Sequence, residues 1–120
     1  MFQMNNYSPI ILVNDNTFQK QVIENSLPVI VVFEKCCWGT AQIMKPILEK
    51  IAFDFADKII VYKYSMEQNS VISEQYKIEN STTVLLFNKG DVIYKTGVIS
   101  KMELQKIINS LLNETLKTTG

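Results

Sequence analysis

"LPVIVVFEKCCWGTAQIMKPILEKIA", residues 27–52, joins an unbroken apolar run to a segment of helical period. Its first part, "LPVIVVF" (27–33), is apolar at every position, odd and even alike. A strand with one wet face would alternate, so this one is expected to be central and covered on both sides. The period then changes. In "WGTAQIMKPILEKIAFDFADK" the residues Ile43, Ile47 and Ile51 recur every fourth position, with Met44 and Leu48 beside them, which predicts a helix. Pro46 falls inside it and predicts a kink, because proline lacks the amide hydrogen and crowds the preceding turn. Between strand and helix stand Cys36 and Cys37, the only two cysteines of the chain.

Working outward, "IILV" (10–13) reads as a short strand, and "NTFQKQVIEN" (16–25) as a helix capped by Asn14 or Asp15, with Phe18 and Val22 on one face. "KIIVYKY" (58–64) is a second buried strand. "NSVISEQYKI" (69–78) is a short helix with Asn69 or Ser70 as its cap. "TTVLLFN" (82–88) and "VIYKTGV" (92–98) flank the turn "NKGD" and form a hairpin. Ser100 and Glu103 make a capping box that opens a last helix, whose stripe is Met102, Leu104, Ile107, Ile108 and Leu111. The final "ETLKTTG" is expected to fray. Tyr62, Tyr64 and Tyr76 read as half-buried edges, and Lys63 and Glu67 as solvated surface charge, the alternative being a polar patch near the site. The order β-α-β-α-β-α-β-β-α predicts an α/β domain with a mixed central sheet and helices on both faces.

The chain has 120 residues, 47% hydrophobic and 20% charged, which fits a single globular domain over 1–120 with its core at about 9–113. Twelve basic and twelve acidic residues cancel; no basic stripe points to nucleic acid and no acidic block to a solvating tail. The start, "MFQMNNYSPIILV", carries neither a basic leader nor a long apolar run, so no membrane association and a cytoplasmic location are expected. There is no histidine. That removes the commonest acid–base group, and two cysteines cannot complete a four-thiolate zinc site. No metal site and no cofactor are expected.

This order and these segments resemble the thioredoxin family. "LPVIVVF" followed by "AQIMKPILEKIA" looks like that family's central strand and kinked active-site helix. "DKIIVYKYSMEQN" looks like its next strand, with its lysine at Lys63, and "TTVLLFNKGDVIYKTGVISKMEL" like its hairpin, with glycines at Gly90 and Gly97. The resemblance runs from about residue 9 to residue 113 and implies a thioredoxin-like fold. The family's motif is Trp-Cys-Gly-Pro-Cys at the start of the kinked helix. Phe33 before it and Pro46 after it give one register, which lays the motif on Cys37, Trp38, Gly39, Thr40 and Ala41. Only the glycine is retained. Trp38 holds the nucleophile position and Ala41 the resolving one. The family's buried aspartate corresponds to Val32, and its cis-proline to Thr82. A cis bond before a non-proline residue costs about 3 kcal/mol, so a trans bond is expected there.

Three readings of the cysteines stay open. As small apolar side chains at a strand-to-helix junction they would be inert. As a single-thiol site, Cys37 near a helix N-terminus, with Lys35 close in sequence, would be a candidate catalytic thiolate, with Cys36 as a second candidate hindered by the strain of a vicinal disulfide. A soft cation such as Cu(I) held by both thiolates is the third. Trp38 is read either as a lid packed over the helix start or as an exposed aromatic anchor. The expectation that results is a non-catalytic interaction module whose protein partner or client docks around Trp38, Gly39, Thr40, Ser81, Thr82 and Gly97. The alternative is a disulfide-exchange protein acting through Cys37 with or without Cys36. A monomer is the default.

Overall fold

The structure is a computed structural model that describes residues 9–35 and 38–119, with side chains through residue 114. Among the described residues five strands, β1 (Ile11–Val13), β2 (Val29–Glu34), β3 (Ile60–Ser65), β4 (Thr83–Asn88) and β5 (Asp91–Thr96), form one sheet in the order β1-β3-β2-β4-β5. β1 and β2 run parallel to β3, and β4 runs antiparallel to β2 and β5. The mixed sheet expected from the residues is therefore present, with β2 at its centre and all six of its residues buried. Among the described residues no helix is long and apolar enough to cross a membrane.

Because successive residues of a strand point to opposite faces, β2 serves two cores. Ile30 and Val32 join Met44, Leu48, Ile51, Leu104 and Ile108 beneath α1 (Gly39–Asp54) and α3 (Lys101–Thr119). Val29, Val31 and Phe33 join Phe18, Val22, Tyr64 and Phe87 on the other face. Phe18 sits at the middle of an aromatic cluster there, with ring centroids 5.6 Å from Phe87 and 5.9 Å from Tyr76.

Several local expectations are corrected. α1 contains Pro46 as expected, but its buried stripe is Ala41, Met44, Leu48, Ile51 and Ala52. Ile47 is half-buried and Ile43 is 55% exposed, so the isoleucine series drifts off the core face. In α3 Met102 is 66% exposed, whereas Leu104, Ile108 and Leu111 are buried. The helical backbone of α3 continues to Thr119, beyond where fraying was expected. Tyr62 and Tyr64 are buried, not half-buried; only Tyr76 fits that reading.

The segment after β1 is a single wide π-helical turn, Gln19–Ile23, closed by the Glu24 amide donating to the Gln19 carbonyl at 3.0 Å. Phe18 and Val22 are both buried, as their spacing predicted. Asn14 is not its side-chain cap: Phe18 stands at the N-cap without such a bond, and the Asn14 Oδ1 accepts from the amides of Asn16 and Thr17 at 2.8 and 3.0 Å in the turn before it. Asp15 does something else. Its carboxylate accepts from the amides of Ser70, Val71 and Ile72 at the start of α2 (Val71–Gln75). The phenol of Tyr64 donates to Asp15 at 2.6 Å and accepts from the Ser73 amide at 3.3 Å. The unpaired amides that begin any helix are thus satisfied from more than fifty residues away. Neither Asn69 nor Ser70 is the side-chain cap that was expected. Ser70 makes no such bond, and Asn69 instead accepts from the Asp15 amide at 3.2 Å.

The hairpin turn is Lys89–Gly90, both with positive φ, as a type I′ loop requires. Ser100 caps α3, its hydroxyl accepting from the Glu103 amide at 3.2 Å.

Candidate functional site

β2 ends at Glu34 and α1 begins at Gly39, and between them the Trp38 amide donates to the Lys35 carbonyl at 3.1 Å. Cys36 and Cys37, the candidate thiols, lie outside the described residues. Trp38 has an extended backbone, φ −82° and ψ 128°, and stands at the N-cap of α1 without a capping side-chain bond. Its indole is half-buried, and the Lys35 ammonium lies 5.9 Å from the ring centroid, a cation–π contact. Gly39 opens the helix in free space: a Cβ there would meet nothing within 4 Å.

Thr40 and Thr82 meet. Their hydroxyl oxygens are 2.7 Å apart, joining the first turn of α1 to the segment that leads into β4. Thr82 is 2% exposed. Among the described residues no peptide bond is cis, so Ser81–Thr82 is trans. Ser81 is exposed, and its carbonyl accepts from the Thr83 hydroxyl at 3.0 Å. Gly97 lies alongside, where a Cβ would sit 3.7 Å from the Thr82 carbonyl oxygen. Thr40, Thr82 and Gly97 are therefore brought together across two sheet connections. Trp38 and Gly39 adjoin Thr40 along the chain, and Ser81 adjoins Thr82.

Beneath this surface, the positions that the resemblance gives to the buried acid and the resolving cysteine face one cleft. Val32 is 1% and Ala41 3% exposed, and both line it. Neither side chain carries an atom that can exchange a proton or an electron pair. The sequence reading missed the charge beside them. Glu34 is buried at 8% exposure and pairs with Lys63, carboxylate to ammonium, at 3.4 Å. Lys63 is thus an ion-pair partner and not simply solvated charge. The signal was available: Glu34 follows Val32 by two residues, so the pleat puts both on one face, and Lys63 stands directly opposite Val32 on β3. Burial pushes the phenols of Tyr62, Tyr64 and Tyr76 up from their ordinary value, with Asp15 adding to the effect at Tyr64.

Comparison with known proteins agrees with this architecture. The family model described as thioredoxin matches residues 9–110. The thioredoxin of Acidithiobacillus ferridurans is 36% identical over 104 residues, covering 86% of this chain and 96% of that protein. The thioredoxin of Buchnera aphidicola is 33% identical over 105 residues, 87% of this chain and 97% of that one. Thioredoxin 1 of Synechococcus elongatus is 30% identical over 101 residues, covering 83% and 94%. The match spans the sheet, the helix that contains Pro46 and the hairpin alike, and on that ground the chain belongs to the thioredoxin family.

Proposed function

We propose that the chain is a non-catalytic interaction module of thioredoxin type, with a degenerate active site and a docking face built from Trp38, Gly39, Thr40, Ser81, Thr82 and Gly97. The observation that carries this reading is Ala41. A dithiol reductase releases its substrate when a second thiolate attacks the mixed disulfide. At the resolving position here stands a buried methyl group, 3% exposed. Val32 fits the same reading, since a buried carboxylate without a partner is costly and would have no thiol to deprotonate. Trp38, half-buried and flanked by Lys35, offers a partner an aromatic surface with an adjoining charge, a combination common at binding hot spots. The partner is a protein, and the chain meets it in the cytoplasm as a monomer without a cofactor.

Single-thiol exchange through Cys37, with or without Cys36, is the competing reading. Lys35, two residues before Cys37 in the chain, favours it, because a nearby cation stabilises a thiolate. Capture of partners by the full chain, by Trp38→Ala and by the Cys36→Ser/Cys37→Ser double variant separates the two. The docking reading predicts that the double variant keeps its partners and Trp38→Ala loses them. Partners held by bonds that reduction breaks, and lost in Cys37→Ser, would establish exchange instead.

A further inference from the structure

The cleft behind Val32 and Ala41 has a volume of about 290 Å³, near the lower end of the roughly 300–1,000 Å³ typical of small-molecule sites. Its walls carry Val32, Ala41 and Leu48, all buried, and the Glu34–Lys63 pair. The Glu34 side chain is 10% exposed and that of Lys63 37%. A carboxylate so withdrawn from water is costly unless it is well paired and hydrogen-bonded. Its 3.4 Å separation from Lys63 exceeds the ~2.7–2.9 Å of a tight charge-assisted bond. The pair thus leaves capacity for a further donor at Glu34 and a further acceptor at Lys63. The other charges on the lining, Lys45 and Glu49, cancel each other, so the cleft as a whole favours a ligand of no net charge.

We propose that this cleft binds a free α-amino acid with an apolar side chain. Such a molecule carries an ammonium and a carboxylate on one carbon, two opposite charges as close together as those of Glu34 and Lys63. Laid head to tail across the pair, its ammonium meets the Glu34 carboxylate and its carboxylate meets the Lys63 ammonium. Its side chain then rests on Val32, Ala41 and Leu48. A ligand with one charge satisfies one member of the pair and leaves the other as it was. The cleft shares no lining residue with the docking face, and binding in it does not require that face to have a partner.

The test is titration of the isotope-labelled full chain with L-leucine, with isocaproate, which lacks the ammonium, and with isoamylamine, which lacks the carboxylate. Amide shifts of Val32, Glu34, Leu48 and Lys63 are followed by NMR. L-leucine is expected to give saturable shifts, with both analogues at least about tenfold weaker, the scale of one lost charged hydrogen bond. Glu34→Gln and Lys63→Met should each weaken L-leucine by a similar factor. Lys63 is the less buried of the two, so its variant keeps the test decisive if Glu34→Gln fails to fold. Absence of saturable shifts, an analogue that binds as well as L-leucine, or unchanged binding by Lys63→Met overturns the assignment.

Discussion

The hydroxyls of Thr40 and Thr82 lie 2.7 Å apart, tying the first turn of α1 to the approach to β4. They occupy the two positions where the resemblance places prolines. In place of two rigid rings there is one hydrogen bond between side chains, and the backbone before Thr82 is trans. This bond holds the two halves of the proposed docking face in register.

Thr40→Val and Thr82→Val should therefore each destabilise the chain, by about 1–3 kcal/mol, because each leaves a hydroxyl without its partner in a partly buried setting. The double variant should lose less than the sum of the two, since neither hydroxyl then remains to be stranded. Denaturant midpoints for the four proteins measure this coupling; strict additivity would show that the two hydroxyls do not interact.

Asp15 gives a pH dependence. Burial works to raise its carboxyl, but the Tyr64 phenol and the amides of Ile72, Val71 and Ser70 outweigh that and hold it below its ordinary value of 3.8. A depressed carboxyl stabilises the fold fully above its unfolded value and ceases to do so as pH falls through its folded value. Asp15→Asn should thus lower stability at neutral pH, by about 0.5–2 kcal/mol on the scale of a lost helix cap. Its deficit against the parent chain should shrink below pH ~3.8. Melting temperatures of both proteins from neutral to acid pH test this, and a deficit independent of pH would contradict it.

Two glycines should respond with opposite signs. Gly90 has φ +89°, and a Cβ there would lie 3.1 Å from both Cγ2 and the carbonyl oxygen of Ile23. Gly90→Ala should cost at least about 1–2 kcal/mol, from left-handed strain alone. Gly39 has open space around it, so Gly39→Ala should stabilise by roughly 0.4–1 kcal/mol through the unfolded chain. Equal effects in thermal unfolding would refute this distinction.

Within α1, Ile51→Ala should cost about 2–5 kcal/mol and Ile43→Ala about 0.5 kcal/mol or less, because Ile51 is fully buried and Ile43 is 55% exposed. The same contrast should hold between Leu104 and Met102 in α3. Urea unfolding of the four variants decides it.

These pairs also show what the sequence could and could not reveal. Unbroken apolar runs such as 29–33 and the four-residue spacing in 41–52 made the sheet and α1 legible, because burial of whole faces leaves a periodic trace. A spacing of four is longer than the 3.6-residue turn, so Ile43, Ile47 and Ile51 drift around the helix, and only Ile51 ends fully buried. The cap of α2 was not legible, because Asp15 lies next to Asn14 in the chain and reaches α2 only once β1 and β3 have paired. The Thr40–Thr82 bond likewise joins residues separated by one strand, β3, and one helix, α2. Of the expected site, Thr40, Thr82 and Gly97 come together in space; the two cysteines lie outside the described residues.

Multiple-turnover reduction of a protein disulfide, driven by a chemical reductant and followed with and without the full chain, shows whether the site turns over. With Ala41 at the resolving position, the rate with the chain should equal the uncatalysed rate, and Cys36→Ser/Cys37→Ser should not change it. Sustained acceleration over many turnovers, abolished by that double variant, would show an active redox centre and contradict the account.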